Sequence, residues 1–425
     1  MQGAPGPCGS TVPCTDDRAT PSGGGFGTAP PGGWPRVSLQ VRREQKAEGR
    51  YLILYRVHGP GTAAQLGQEV QQGGHEPAGV APAGPPAAGD HRGELRWHPL
   101  LGQWVVVAAH RQERTYKPPA EYCPLCPTRD PNHPTEIPGE PFDVAVFENR
   151  FPALVRTPPV PGAPAGRPWP VRPARGVCEV VVYSPDHERS LGEQPLEQIR
   201  ALVEVWAERY RELGAHPFVR YVMMFENRGD AVGVTLHHPH GQIYAFPFVP
   251  PIPRRELVRS RRHLQRTGRC LLCDVLAHEL AGPEERTVVR GEGFVAFVPF
   301  FARFPFETMV APLQHVASLE ELTHDGRWQL ASVLKPLLVA YDALFGFKLP
   351  YMMVMHQAPT DRPAGGYPEC HFHVEFLPLQ RSASRLKYLA GSESGAGTFI
   401  TDMTPEEMAE RLRKALASIG GTEPR

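Results

Sequence analysis

Apolar residues recur beyond residue 90 with the periods expected of strands and helices. Residues 103–108, 179–183 and 219–225 are rich in β-branched and aromatic side chains, which favours strands. A last helix is predicted to begin at Thr404, with Pro405 in its first turn and Glu407 completing a capping box. Residues 195–213 carry apolar side chains at helical spacing, namely Leu196, Ile199, Leu202, Val203, Trp206, Tyr210 and Leu213. This mixture predicts an α+β fold.

Residues 1–89 lack such periodicity. Glycine and proline make up 16 of the first 35 residues, and 73–89 is similarly biased. Such a composition buries too little apolar surface to offset the entropy of ordering the chain. The apolar run at 51–55 is too short to form a domain. We therefore predict a disordered extension over 1–89, and we expect a variant that begins near residue 88 to keep full activity.

Composition restricts the classes of function. The chain has 425 residues, 41% of them hydrophobic, and a formal net charge of +0. That is enough for a large core or two medium domains, and it provides no basic surface for nucleic acid. The sequence has no run of about 18 apolar residues, so a membrane span is not expected, and the N-terminus does not resemble a signal peptide. In such a chain Cys-x-x-Cys pairs indicate metal or redox sites before disulfides, so we expect a cytoplasmic protein.

The order of cysteines and histidines repeats along the chain. Two similar α+β units packed together account most simply for this repeat. We predict units over 90–255 and 256–425, each an antiparallel sheet with packed helices. The two copies read in the same order: Cys123, Cys126, His187, His238 and His240, then Cys270, Cys273, His315, His371 and His373.

Each copy supplies soft ligands suited to tetrahedral zinc, namely a Cys-x-x-Cys pair and two distant histidines. A closed four-ligand ion of this kind stabilises folding, and here it would also anchor the strand that carries His240. The alternative is a pair of buried cysteines with unrelated histidines. The first predicted set is Cys123, Cys126, His187 and His238.

A second zinc site is predicted in the second copy. Packing is a stronger alternative here, because the cysteines open an amphipathic segment in which thiols could pack with Leu271, Leu272, Val275 and Leu276. The second predicted set is Cys270, Cys273, His315 and His371.

The stretch His-Pro-His-Gly-Gln at 238–242 predicts nucleophilic chemistry at phosphorus. On extended backbone, residues two apart face the same side, so His238 and His240 can serve one site. A neutral His240 imidazole can attack phosphorus, and the Gln242 amide can hold a non-bridging oxygen. The glycine between them permits close approach of the backbone to a ligand. The alternative is a structural or metal-binding His240.

Attack at phosphorus also needs groups that neutralise or hydrogen-bond the negative oxygens. His373 is the counterpart of His240 but lacks the following Gly-Gln, so we expect a core histidine or a metal ligand there. The candidates for holding phosphate oxygens are Gln242, Thr235, Arg111 and Arg114.

These motifs resemble the galactose-1-phosphate uridylyltransferase family of the histidine-triad superfamily. The resemblance implies two tandem histidine-triad-like units, and a homodimer whose active sites borrow residues from the partner. It also implies a role in galactose metabolism, in the Leloir pathway. It covers about residues 92–422 and includes the segments 98–104, 123–126, 146–151, 184–187, 225–229, 238–242, 356–359, 371–373 and 391–393.

The resemblance also assigns residues. His240 would be the uridylylated nucleophile, and Gln242 would hold the transferred phosphoryl group. The first cysteine and histidine set matches the family's zinc site. Positions that match nucleotide and phosphate contacts are Asn149, Asn227, Thr235, Arg111 and Arg114, and those of the hexose-contacting segment are Lys387 and Glu393.

The second metal differs among members of the family. Relatives with the second Cys-x-x-Cys bind a second zinc, which Cys270 and Cys273 favour here. Both schemes claim His371, so we expect them to compete. In other members the second metal is iron, bound by positions that match Glu256, His356, His371 and His373.

The implied reaction is reversible transfer of UMP between UDP-glucose and galactose 1-phosphate. One position departs from the family: Asn149-Arg150 stands where members commonly have Asn-Asp, so the nucleoside preference follows less directly than the phosphoryl-transfer chemistry. The alternatives are an ADP-sugar phosphorylase or adenylyltransferase, a nucleotide hydrolase, and a zinc-built binding module without catalysis.

Overall fold

A computed structural model describes residues 29–30, 33–46, 49–58, 93–113, 117–161, 168–283, 285–363 and 365–420. Its strands are β1 (Ser38–Gln45), β2 (Tyr51–His58), β3 (Glu94–His98), β4 (Gln103–Val107), β5 (Val144–Glu148), β6 (Val171–Pro173), β7 (Val177–Val182), β8 (Tyr221–Arg228), β9 (His240–Phe246), β10 (Thr287–Arg290), β11 (Phe294–Phe297), β12 (Thr308–Pro312), β13 (Tyr351–His356), β14 (His373–Pro378), β15 (Gln380–Ser382) and β16 (Arg385–Leu386). Its helices are α1 (Leu196–Gly214), α2 (Pro251–Thr267), α3 (Leu271–Glu279), α4 (His324–Leu344) and α5 (Pro405–Gly420).

One antiparallel sheet of eleven strands organises the described chain, in the order β1-β2-β5-β7-β9-β8-β13-β14-β12-β11-β10. The two halves meet where β8 pairs with β13, with Phe225 opposite Val354. A smaller sheet has the order β4-β3-β6, and β15 pairs with β16. The predicted α+β fold with antiparallel sheets is confirmed, and the sheets of the two halves form one continuous surface.

The helical stripe predicted at 195–213 forms α1, which buries its apolar side against the sheet. Trp206 and Ile199 are among its buried residues and join a core cluster with Leu334 of α4 and Tyr351 of β13. Full burial of side chains of this size stabilises a fold by about 1.5–3 kcal/mol each. The main core therefore contains residues of both halves. The last helix, α5, begins where predicted, and the Thr404 hydroxyl accepts a hydrogen bond from the Glu407 amide.

Residues 38–58 correct the prediction of a disordered N-terminal extension. Strands β1 and β2 form a hairpin, and β2 pairs with β5, so the hairpin extends the main sheet. The run at 51–55 is too short for a domain but long enough for one strand of an existing sheet. Its partner, β5, is nearly a hundred residues away, so composition alone does not reveal it. The buried residues of β2 are Leu52, Ile53, Leu54 and Tyr55.

A second contact attaches the segment before the hairpin to the globular part. The Trp34 ring stacks on Trp328 of α4, with 5.2 Å between ring centroids, and Trp328 Nε1 donates to the Pro35 carbonyl at 2.9 Å. The remainder of the predicted extension, at 1–28, 31–32, 47–48 and 59–89, lies outside the described residues. Within the described ranges, no helix has both the length and the apolar character needed to cross a membrane.

Candidate active site

Four neighbouring strands contribute the floor of a cavity. Their register aligns Phe147 of β5, Val180 of β7, Gln242 of β9 and Phe225 of β8 in one row across the sheet. Residues directly opposite one another in a sheet face the same side. All four side chains line the cavity, together with His240. The cavity therefore runs across the strands, from Gln242 towards the edge that carries the N-terminal hairpin.

His240 and Gln242 face the cavity together because they are two residues apart on β9. The Nδ1 atom of His240 lies 2.7 Å from the His238 carbonyl oxygen. A carbonyl only accepts, so Nδ1 carries the proton and Nε2 is the unprotonated nitrogen of the neutral ring. Burial lowers the pKa of His240 below its usual value, although the bond to the carbonyl opposes this shift. The ring is therefore neutral at physiological pH.

Gly241 has a packing role on the side of the sheet away from the cavity. It faces the opposite side of the sheet from His240, where a Cβ would lie 2.4 Å from the Tyr183 hydroxyl and 3.2 Å from the Phe225 carbonyl oxygen. The Tyr183 hydroxyl is held in place because it donates to Glu226 at 3.2 Å. The glycine thus allows β9 to pack on a buried tyrosine, and the expected approach of its backbone to a ligand stays a prediction.

Several predicted substrate-contacting residues line the same cavity. Arg111 Nη1 donates to the Tyr244 hydroxyl at 2.9 Å, and Asn149 Oδ1 accepts from the Phe151 amide at 2.8 Å. Arg114 lies outside the described residues. The predicted contacts brought together with His240 and Gln242 are Arg111, Asn149, Asn227 and Thr235.

Sequence reasoning missed other residues that line the cavity. Most belong to segments whose position depends on strand register between distant parts of the chain. Leu125 had a local signal, because it lies between the two cysteines of the first pair. The missed residues include Leu125, Glu136, Phe147, Val180 and Tyr244.

Lys387 and Glu393 do not line this cavity in the described chain. Lys387 Nζ lies 2.9 Å from Glu393 Oε1, and the ammonium holds the pKa of Glu393 at about 2. The pair braces a loop that contains a π-helical turn, Gly391–Ala396. Exposed apolar side chains flank this loop, namely Tyr388, Leu389 and Ile400.

The first predicted ligand set comes together in the structure: one ligand atom from each of Cys123, Cys126, His187 and His238 lies within 4.8 Å of the others. Cys126 Sγ is 3.3 Å from His187 Nδ1 and 3.4 Å from His238 Nδ1. The His238 Nε2–H donates to the Ser184 carbonyl at 2.9 Å, which leaves Nδ1 as the ligand atom.

The donor set of this first cluster suits a metal ion. Burial and the adjacent Cys123 thiol raise the pKa of Cys126 to about 12. Burial also lowers the pKa of His238 to about 4, so its ring is neutral. Two thiolates this close ionise together only when a cation neutralises them, and neutral imidazole is the form that binds metals.

The second predicted set has the same arrangement. Cys273 Sγ lies 3.4 Å from His371 Nδ1 and 3.7 Å from His315 Nδ1, and His371 Nε2 donates to the Pro312 carbonyl at 3.1 Å. The ligand atoms of Cys270, Cys273, His315 and His371 also lie within 4.8 Å of one another. Like the first set, these residues could hold a metal ion.

A third cluster corrects the expected competition for His371. It consists of Glu256, His356, His373 and Glu375, and its ligand atoms lie within 4.8 Å of one another. His371 faces the cysteines, and Glu375 takes the fourth place here. Burial opposes protonation of His356, yet the carboxylates of Glu256 and Glu375 raise its pKa to about 8. The two predicted schemes therefore occupy separate places.

Comparison with known proteins agrees with this architecture. The family profile of the galactose-1-phosphate uridyl transferase N-terminal domain matches residues 87–250, and that of its C-terminal domain matches 256–421. The galactose-1-phosphate uridylyltransferase of Thermotoga maritima is 42% identical over 77% of this chain and 99% of that protein. The enzyme of the same name from Haemophilus influenzae is 37% identical over 75% of this chain and 93% of that protein.

Solved structures show the same fold. A structure of a uridylyltransferase has a TM-score of 0.68 at 36% identity and covers 77% of this chain and 99% of that one. An ADP-glucose phosphorylase from Arabidopsis thaliana, with bound ADP-glucose, has a TM-score of 0.56 at 24% identity, over 76% of this chain and 99% of that one. The second likeness shows the fold alone.

The fold, the cavity and these matches define a nucleotidyl-transferring enzyme whose two halves share one antiparallel sheet. One family profile falls on each half of the chain. The chain belongs to the galactose-1-phosphate uridylyltransferase family, as its motifs predicted.

Proposed function

We propose that this enzyme exchanges UMP between UDP-glucose and galactose 1-phosphate through a uridylyl group carried on His240. The observation that carries the proposal is the neutral His240 ring, with Nδ1 engaged and Nε2 unprotonated, in one cavity with Gln242, Arg111 and Asn149. Uridylyltransferase relatives are 31–42% identical to this chain, against 24% for the ADP-glucose phosphorylase. This difference favours the uridine nucleotide.

The reaction consists of two displacements at the same phosphorus. His240 Nε2 attacks the α-phosphorus of UDP-glucose, so a P–N bond forms and the P–O bond to glucose 1-phosphate breaks. A phosphate oxygen of galactose 1-phosphate then attacks the uridylyl phosphorus, so a P–O bond forms and the P–N bond breaks. UDP-galactose leaves and the neutral imidazole is restored. Gln242 and Arg111 hydrogen-bond the non-bridging oxygens, where positioning and charge stabilisation supply most of the acceleration.

Two of the three clusters fit structural zinc. Cysteine and histidine ligands in sets of four favour tetrahedral zinc, and we assign zinc to the Cys123 and Cys270 clusters. The carboxylates of the Glu256 cluster suit a harder ion such as iron. Leu125, which lies between Cys123 and Cys126, lines the cavity. An ion held by these two cysteines would therefore fix one wall of the nucleotide site.

The protein is proposed to act as a homodimer in the cytoplasm. The Lys387 loop carries the exposed apolar residues Tyr388, Leu389 and Ile400, and we infer that it completes the hexose site of a second copy. None of the described cysteines forms a disulfide, as a reducing compartment favours.

The test is incubation with UDP-glucose labelled on the α-phosphate, without an acceptor. We expect one label for each active site, stable to alkali and lost in acid, as for a phosphoramidate. Adding galactose 1-phosphate should release the label as UDP-galactose. Label transferred from ADP-glucose but not from UDP-glucose would overturn the choice of nucleotide.

Two variants complete the test. His240→Gly should abolish labelling while metal content and the unfolding transition stay unchanged. His237→Gln is the matched control, because this neighbouring histidine pairs with Asp230 at 3.0 Å and is more than half exposed. Undiminished labelling of His240→Gly would refute the proposed nucleophile.

A further inference from the structure

The turn of the N-terminal hairpin contacts the wall of the active-site cavity. Arg50 Nη1 lies 3.0 Å from Glu136 Oε2, and Lys46 Nζ bonds the same oxygen. Lys46 also lies over the Phe147 ring, 5.3 Å from its centroid, and Arg50 donates to the Glu148 carbonyl at 3.0 Å. Glu136 and Phe147 both line the cavity. The hairpin therefore supports the end of the cavity farthest from Gln242.

Glu136 is the one carboxylate among the described residues that line this cavity. Its side chain is 11% exposed. Burial opposes its ionisation, but Lys46 and Arg50 hold the pKa of Glu136 below its usual value. An ionised carboxylate has about four acceptor positions and no donor. Lys46 and Arg50 together donate three hydrogen bonds to Glu136, so its carboxylate retains acceptor capacity for about one more. A ligand group facing it must donate hydrogen bonds.

The position and charge of Glu136 indicate which part of a bound nucleotide faces it. Phe147 lies two strands from Gln242, which at about 4.8 Å for each strand is about 10 Å from the phosphorus-binding end. Phosphate oxygens would be repelled by a carboxylate. The uracil edge has one N–H between two carbonyl oxygens, and a carboxylate would repel these two oxygens. The two adjacent ribose hydroxyls are donors and match it.

We infer that Glu136, positioned by Lys46 and Arg50 of the N-terminal hairpin, accepts a hydrogen bond from a ribose hydroxyl of the bound nucleotide. The inference rests on the proposed function only in assuming that the cavity takes a uridine nucleotide. It makes Glu136 a specificity-determining residue and gives the hairpin a part in substrate recognition. Lys46 and Arg50 are positioning residues.

The test is equilibrium binding of UDP, 2′-deoxy-UDP and 3′-deoxy-UDP by calorimetry to the full chain and to Glu136→Ala. Hydrogen bonds to charged groups are among the stronger ones, so the wild-type protein should bind at least one deoxynucleotide about tenfold or more weakly than UDP. In Glu136→Ala that preference should fall to within about twofold, in keeping with the loss of the bond. Equal preferences in the two proteins would overturn the inference.

The hairpin's contribution is tested by Arg50→Ala and Lys46→Ala. Each substitution should weaken the binding of UDP more than that of the deoxynucleotide that lacks the bonded hydroxyl, because the carboxylate loses its fixed position. Arg42→Ala is the matched control, since Arg42 is on the same hairpin, 56% exposed, and pairs with Glu44 and Glu140. If Arg50→Ala lost the same factor of affinity for UDP and for the deoxynucleotides, the positioning role would be refuted.

Binding and catalysis separate the two proposals. If the ribose preference depends on Glu136 but no label is transferred from UDP-glucose, the proposed reaction fails and the inference stands. If label is transferred but the preference is unchanged in both Glu136→Ala and Glu136→Gln, the inference fails alone.

Discussion

Glu226 is buried on β8, the strand that pairs with the one carrying His240. Tyr183 and Tyr351 donate to its carboxyl group at 3.2 and 3.3 Å. Burial raises the pKa of Glu226 from 4.5 to about 7, although the Arg228 guanidinium opposes this shift. The folded chain therefore binds this proton more tightly than the unfolded chain. Its stabilising effect is complete below pH 4.5 and is lost as the pH rises through about 7.

The expected effect is large enough to measure. At about 1.4 kcal/mol for each pH unit between the two pKa values, ionisation of Glu226 should cost about 2.5 kcal/mol of unfolding free energy between pH 5 and pH 8. Glu226→Gln keeps the side-chain shape and remains neutral. The unfolding free energy of the variant, relative to that of the wild-type protein, should therefore rise by about 2.5 kcal/mol from pH 5 to pH 8. Other ionisable groups cancel in this comparison.

The assay is urea unfolding of both proteins at pH 5 and pH 8. Glu285→Gln, at an exposed position, serves as the control and should follow the wild-type dependence. If Glu226→Gln and the wild-type protein lose stability in parallel as the pH rises, Glu226 is ionised in the fold and the reasoning is refuted.

Three further changes have defined outcomes. Gly241→Ala should lower kcat/KM at least about tenfold through overpacking against Tyr183, and Tyr183→Phe in the same chain should restore part of it; no rescue would contradict the packing argument. Cys126→Ser should remove one equivalent of zinc, measured by atomic absorption, and lower the unfolding free energy by several kcal/mol, whereas full metal content would contradict the ligand set. A variant that begins at residue 88 should lose about 5 kcal/mol or more, because β2 buries four apolar side chains; an unchanged Tm would restore the original prediction that the extension is dispensable.

The sequence was most informative where chemistry fixes residue types at short spacing. Two Cys-x-x-Cys pairs and their histidines predicted both four-residue clusters, because few side chains bind soft metals. The stretch at 238–242 predicted one site for His240 and Gln242, and both line the cavity. These inferences depend on local geometry alone.

What the sequence did not reveal depends on contacts between distant segments. The cavity floor requires the register of four strands, and the place of Glu136 requires a hairpin in a region whose composition indicated disorder. Gly241 packs against the hydroxyl of Tyr183, which directly follows β7 in the chain. Such pairings follow from long-range burial, and no short motif encodes them.

His373 and Glu375 occupy the same places on β14 as His240 and Gln242 on β9, and both histidines donate Nδ1–H to the carbonyl two residues earlier. His373 can therefore serve as an internal reference for His240. Any property imposed on the imidazole by the backbone must appear at both positions, whereas a difference between the two must come from their neighbours. Nuclear magnetic resonance of the two rings in one sample would separate these contributions without any substitution.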